Sequence, residues 1–464
     1  MRIELCREFR EAGAFAAALQ GELAGAPETR IGGISTDSAQ VERGDVFLAL
    51  PGANHNGWEF LGEAARRGAA GVILPRAAGA QSFSGVTISV EDAVSSLLAA
   101  AAVHRSHLPG RVIAVSGSAG KTTSKEAIAT VLGEGGTVCR SRGNFNSTLG
   151  MPLSLLSMDA ADYYVLELGI NHPGEMERMS LASAPDLAVL TNIGSAHIGN
   201  FGSYAALCEE KRKIRAGMRK GGILLLPQGC AAPLTAEKSE IFHFGVGMNC
   251  DFYAENIRMD ANGVTLTFCG KSQKIPGLFW GTPGGMGVSV LLIVGAVAEL
   301  CGISAENLVR GVARAAAFAP RMRRHSAGER LLIDDAYNAS PETMASALET
   351  LDCIAGGRQE AAVLGDMEEL GEFSAVLHET VGKCVRKSGV SVLFTYGEKA
   401  LDIAKGAVLA GFDRTCVYSF LPGEEKELAG AIEKKTGRHA VILFKASRKA
   451  RLEEIVRAVE RRAL

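Results

Sequence analysis

Residues 111–128, RVIAVSGSAGKTTSKEAI, restrict the fold more than any other stretch of the chain. The apolar run 111–116 reads as a buried strand. Gly117, Ser118, Ala119 and Gly120 then make a tight turn, and Lys121 opens a segment of helical period with Ile128, Val131 and Leu132 on one side. Glycines let the backbone approach phosphate oxygens, a helix N-terminus offers N–H donors, and the lysine neutralises charge. Thr122 or Thr123 would set a hydroxyl on Mg²⁺. A strand feeding a helix through such a turn belongs in a parallel sheet covered by helices, so the expected class is α/β. Val115 stands where the longer Walker pattern has a glycine, which makes this the shorter GxxGK[ST] form.

The same alternation continues downstream. Apolar runs at 163–168, 187–190, 222–226, 330–333, 360–364, 392–396 and 440–444 are separated by amphipathic stretches. Residues 242–276 differ, because short alternating runs such as GVTLTF predict a β meander. The expected architecture has three domains, which suits 464 residues at about 150 per domain. A small amino-terminal α/β domain covers 1–84 and ends in a polar linker at 81–85. A central parallel-sheet phosphate-loop domain with the meander covers 85–318. A Rossmann-like carboxyl-terminal domain covers 319–464, after a basic break at 319–325.

Composition removes several classes of partner. Lys+Arg 49 against Asp+Glu 51 leaves no basic field for nucleic acid. The most apolar stretch, 288–298, is broken by Ser289 and Gly295 and is too short to span a bilayer. The start, MRIELCREFREAG, has no signal-peptide core. Ten cysteines are scattered without a CxxC pair, so they read as reduced thiols and not as zinc ligands or disulfides. A cytoplasmic monomer acting on small molecules is expected.

Two strands after the phosphate loop end in candidate chemistry. YYVLELG puts Glu167 at the carboxyl end of a buried run, and LAVLTNIGSAH carries His197 just past the next. Ligands of open α/β sheets bind at those carboxyl ends. A buried glutamate is costly unless it is paired or bound to a cation, so Glu167 is a candidate magnesium ligand. A GTPase would need Asn-Lys-x-Asp where TNIGSAH stands, and a kinase or motor ATPase a Walker B aspartate where Glu167 stands. Neither class fits.

GSAGKTT, GNFNSTLGMPLSLL, LELGINHPGEM and TNIGSAHIGNFGS resemble, in this order, the central domain of the Mur ligases, ATP-dependent amide-forming enzymes of peptidoglycan precursor synthesis. DDAYNASPETM and VLGDMEELGEFSAVLHETVG are similar to the signatures of the branch that adds D-Ala-D-Ala to UDP-MurNAc-tripeptide. The Asp-Asn-Pro-Arg motif of the branch that adds diaminopimelate or lysine is absent, and residues 35–74 look like the family's uridine-nucleotide domain. The resemblance implies ATP and two Mg²⁺ ions, those two small-molecule substrates, and an acyl-phosphate intermediate.

It also implies residue roles. Lys121 would hold the β- and γ-phosphates, Glu167 with Thr122 or Thr123 the first Mg²⁺, and His197 would help with the second. Lys211, in CEEKRKIRAG, maps onto a carbamylated lysine near that second ion, although from composition EEKRK reads as a solvated charge run. Arg321 and Asp335 would contact ATP ribose and phosphates. Asn338, Ser340 and segment 364–371 would form the dipeptide side, with Ser38, Asn144, Asn146 and Ser147 contacting substrate.

Departures from the family pattern cluster at the base-binding segments. Asp37-Ser38-Ala39 stands for Asp-Ser-Arg, Asn56-Gly57-Trp58 for Asp-Gly-His, and residues 281–287, GTPGGMG, for Gly-x-His-Asn-x-x-Asn. Ser340 replaces an asparagine and Lys213 a glutamate. Intact phosphate chemistry with altered base grips keeps a second expectation open: a catalytically weak relative that binds precursor or partner proteins.

Overall fold

A computed structural model describes residues 1–230, 239–317 and 322–462, which form three β-sheets flanked by helices. The first sheet has six strands, in the order Arg2–Glu4, Gly33–Ser35, Val46–Leu48, Gly71–Pro75, Val86–Val90 and Glu22–Ala24. Its inner four strands are parallel and its outer two antiparallel. Val86–Val90 bonds to both Gly71–Pro75 and Glu22–Ala24, so residues 81–85 are a loop within this sheet and not a linker. The sheet therefore runs to Val90, past the boundary expected at 84.

The second sheet has nine strands. Seven run parallel from Val138–Arg140 through Tyr163–Glu167, Arg111–Ser116, Leu187–Leu190, Gly222–Pro227 and Ser239–Gly245 to Phe252–Asp260. The expected meander follows as antiparallel Gly263–Cys269 and Lys274–Trp280. Alternation along the central strands supplies two cores. In Arg111–Ser116, Ile113 and Val115 pack with Ile128 and Leu132 of helix Lys121–Leu132, while Val112 and Ala114 join the core on the opposite face. The apolar stretch 288–298 is the buried part of helix Gly285–Leu300, packed between the meander and Lys121–Leu132. Each buried Val, Leu or Ile there contributes about 1.5–3 kcal/mol. Among the described residues no helix is long and apolar enough to cross a membrane.

The third sheet pairs Arg323–Ala327 antiparallel to Arg330–Asp334. It continues in parallel through Val441–Lys445, Glu360–Gly365, Val390–Tyr396 and Val417–Phe420. Every apolar run expected to be a strand is one. The two parallel sheets turn the carboxyl ends of Arg111–Ser116 and Arg330–Asp334 toward one cavity.

Candidate active site

The phosphate loop is held by the end of the neighbouring strand. Asn192 Oδ1 accepts from the backbone N–H of Ser118 (3.1 Å) and Ala119 (2.9 Å), and Thr191 Oγ1 donates to the Ala119 carbonyl (2.6 Å). Gly117, at φ +146°, passes so close that a Cβ would lie 2.0 Å from Thr191 Oγ1. Lys121 Nζ donates to the Gly117 carbonyl at 2.7 Å. No side chain caps the helix that Lys121 opens, so its first N–H groups stay available to an anion.

Glu167 ends its strand 1% exposed. Its Oε1 accepts from Asn146 Nδ2 (2.7 Å) and Thr122 Oγ1 (3.2 Å), while its buried Oε2 has no hydrogen-bond donor. Lys125 Nζ lies 3.8 Å from Oε2 and is itself held by the carbonyls of Ser141 and Gly143 and by Glu126. A buried carboxylate oxygen without a donor, beside a threonine hydroxyl, fits a hard divalent cation such as Mg²⁺. Thr123 also lines the cavity, beside Thr122. Lys125 was not singled out from sequence. The signal was its place with Ile128, Ala129 and Leu132 on the inward face of the helix.

The carboxyl-terminal unit reaches across to the loop after Leu187–Leu190. His197, in a left-handed conformation at φ +67°, donates a hydrogen bond from Nδ1 to Glu369, whose carboxyl is held below its ordinary range by that bond. Glu342 accepts from the Ser195 N–H at 2.6 Å. Gly199 and Gly371 meet backbone to backbone: a Cβ on Gly199 would lie 2.4 Å from the Gly371 nitrogen. Glu342 carried no local signal, and Glu369 was expected only as part of segment 364–371 on the dipeptide side.

Lys211 is not part of a solvated run. It points inward from helix Tyr204–Arg212 at 1% exposure, while Glu210 pairs with Lys213 at 2.9 Å. Burial, and then the nearby Lys121 charge, push the Lys211 amine down to about 7. Lys211 does not line the cavity.

The cavity, of about 290 Å³, joins the two α/β units. Its central-unit wall holds residues 118–123, Asn144, Asn146, Ser147, Glu167 and His197, and its far wall holds Asp335, Asn338, Ser340 and Lys445. Lys445 is 2% exposed and donates to Asp335 Oδ2 (2.5 Å) and the Asn338 carbonyl (3.0 Å). Ser340 also caps helix Pro341–Ala355, and Ser147 Oγ accepts from the Gly150 N–H, so both have structural work beside the cavity. Another part of the lining is largely apolar: Thr282 and Met286, from the segment 281–287 expected at the base, with Trp280 and Met322, which the sequence did not single out. Ser38 is not brought to this cavity; it donates to Glu63 at 2.6 Å in the amino-terminal unit. Arg321 lies outside the described residues.

A phosphate loop, a buried carboxylate suited to a hard cation and a second α/β unit closed over both define an ATP-using enzyme that joins two substrates. Residues 115–298 match the Mur ligase middle domain and residues 320–448 the Mur ligase glutamate ligase domain. The chain belongs to the Mur ligase family. It is 32% identical over 432 residues to the UDP-N-acetylmuramoyl-tripeptide–D-alanyl-D-alanine ligase of Bacillus subtilis, covering 93% of each chain. It is 30% identical over 451 residues to the ligase of the same name from Escherichia coli, covering 95% of this chain and 96% of that one. Among solved structures, MurF from Acinetobacter baumannii superposes with a TM-score of 0.87 at 28% identity, covering 97% of this chain and 98% of that one. MurF from Thermotoga maritima in complex with ADP gives 0.78 at 25% identity, covering 94% and 98%.

Proposed function

We propose that this enzyme joins D-Ala-D-Ala to UDP-MurNAc-tripeptide through an acyl phosphate, with ATP as phosphoryl donor, in peptidoglycan precursor synthesis. The observation that carries this reading is the cavity in which the phosphate loop of one unit faces Asp335, Asn338 and Lys445 of another. Near end-to-end similarity to ligases bearing that activity in their names supports the same substrates. The amino-terminal sheet would hold the uridine nucleotide, the central unit ATP and the carboxyl-terminal unit the dipeptide, in a cytoplasmic monomer.

The chemistry needs positioning more than covalent help from the protein. The tripeptide carboxylate attacks the γ-phosphorus and ADP leaves. The dipeptide amine then attacks the acyl carbon, loses a proton, and inorganic phosphate departs from the tetrahedral intermediate. Residues 117–120 cradle the phosphates with backbone N–H groups, and Lys121 exchanges its bond to the Gly117 carbonyl for a phosphate oxygen. Bound magnesium would neutralise developing phosphate charge. Glu167 with Thr122 or Thr123 would hold one ion, and His197 and a Lys211 carbamate a second. Only a neutral amine adds CO₂, and an amine pushed down to about 7 is substantially neutral near neutral pH. With its Nδ1 donating to Glu369, His197 keeps the Nε2 lone pair available to a metal. Asp335, steadied by Lys445, would take the ribose, with Arg321 on the phosphates. Asn338 and Ser340 would face the dipeptide, and Asn144, Asn146 and Ser147 the tripeptide end. Ser38 would act only at the uridine nucleotide, apart from this cavity.

The test is purified protein with ATP, Mg²⁺, UDP-MurNAc-tripeptide and D-Ala-D-Ala. The expected result is pentapeptide product with one phosphate released per bond, dependent on the dipeptide. Binding of the precursor without product would overturn the reading and favour a protein that holds precursor without turnover.

A further inference from the structure

We propose a second metal site, of zinc type, at the joint between the amino-terminal and central units, built from Cys6, Glu8 and His104. These three ligand atoms lie within 4.8 Å of one another. Cys6 and Glu8 belong to the turn around Arg7–Phe9, and His104 to the inward face of helix Ala93–His107. The absence of CxxC pairs argues against zinc along the sequence, but this set forms only when residues about a hundred positions apart fold together.

The tautomer of His104 carries the argument. Its Nε2 lies 2.8 Å from the Met158 carbonyl, which only accepts, so Nε2 bears the proton. In a neutral ring, Nδ1 then presents a lone pair, and it faces Glu8 Oε2 at 2.7 Å and Cys6 Sγ at 3.8 Å. A lone pair and a carboxylate oxygen at that distance repel unless a cation lies between them. A metal ion at this point would use all three donors at once. Thiolate, imidazole and carboxylate together favour zinc over Mg²⁺ or Ca²⁺.

The surroundings have the order of a ligand shell. The Nε2 bond to Met158 fixes the ring with Nδ1 inward, and His107 Nδ1 holds the other Glu8 oxygen at 2.7 Å, as outer partners of metal ligands do. Tetrahedral bonds of about 2.3 Å to sulfur and about 2.0 Å to nitrogen leave those atoms roughly 3.5 Å apart, close to the separation found. The Glu8 oxygen would retreat by about half an ångström to match. Binding of the ion would displace the Cys6 thiol proton to water. Thiolate plus carboxylate then balance the two positive charges. Glu8 and His107 are partly exposed and give the ion a path in.

The site's place says what it does. Cys6 N–H donates to the Leu156 carbonyl at 2.9 Å and Arg7 N–H to Asp159 at 3.1 Å, so the first turn of the chain docks here on the loop after helix Gly150–Leu156. An ion would clamp the amino-terminal unit to the central one, apart from the phosphate cavity.

The experiment uses the full chain, stripped with chelator and kept in excess Mg²⁺ so that oxygen-rich sites are filled. Titration with Co²⁺ should give a thiolate-to-cobalt charge-transfer band that saturates at one ion per chain and is bleached by Zn²⁺. Zn²⁺ should raise the melting temperature. Cys6→Ser should abolish the band, and the exposed His107→Ala should weaken binding about tenfold. No thiolate band from the wild-type protein would overturn the proposal without any variant. So would a band that survives Cys6→Ser, or zinc binding lost in Glu167→Gln and kept in Cys6→Ser.

Discussion

Glu167 and Glu360 are both buried at the ends of strands in parallel sheets, 1% and 6% exposed, and each has one buried oxygen without a hydrogen-bond donor. Glu167 closes its strand at the carboxyl end, where Thr122, Asn146 and Lys125 gather around it. Glu360 opens its strand at the amino end and faces Asp352; burial, and then that like charge, push its carboxyl up to about 7. Burial alone therefore does not mark a site. Donors and positive charge collected at the carboxyl edge of the sheet do, because loops and helix N-termini converge there.

The largest expected effect separates the two directly. Glu167→Gln should lower turnover by about 10²–10³-fold, since it removes the carboxylate that would hold the cation facing the phosphates. Glu360→Gln should leave turnover unchanged. Near-normal ligation by Glu167→Gln with an unaltered melting curve would erase the distinction. Next, Lys211→Ala should cost roughly 10–100-fold, with partial recovery on adding formate or acetate, and the wild-type enzyme should lose activity when CO₂ is removed during preparation. Full activity of Lys211→Ala in CO₂-free buffer would return Lys211 to a packing role.

A smaller effect concerns the base. The apolar part of the cavity lining, at Trp280, Thr282 and Met286, offers few groups to read an adenine edge. ATP and GTP should differ by less than about tenfold in kcat/KM, mostly through KM. A strong preference for ATP would mean that another segment reads the base.

The smallest effect lies at Glu360. A carboxyl raised from 4.5 to about 7 binds more protons folded than unfolded across that window. Its stabilising contribution is complete below about pH 4.5 and gone above about pH 7. Glu360→Gln should flatten that slope and, above neutral pH, raise stability on the order of 1 kcal/mol, read from melts across pH. An unchanged slope would show that Glu360 does not titrate in that window.

What could be read from the residues was local. The phosphate loop, the strands and the place of Glu167 follow from periodicity and turn chemistry within twenty-residue windows. The loop at 81–85 was misread because Val86–Val90 completes the first sheet by pairing with a strand more than sixty residues away, which no local pattern reports. The grip of Glu342 and Glu369 on the loop around His197, and the packing of Met286 and Met322 into the cavity, depend on how separate units dock. Lys211 looked solvated in EEKRK because composition cannot say which member of a charged helix turns inward.

Gly199 and Gly371 touch through backbone alone, so the seam beside the cavity has no room for even a methyl group. That makes it a wedge point. A small molecule lodged between these two residues would keep the sheets apart while leaving the pockets for nucleotide, precursor and dipeptide intact. Its kinetic signature would be inhibition that no concentration of any substrate relieves.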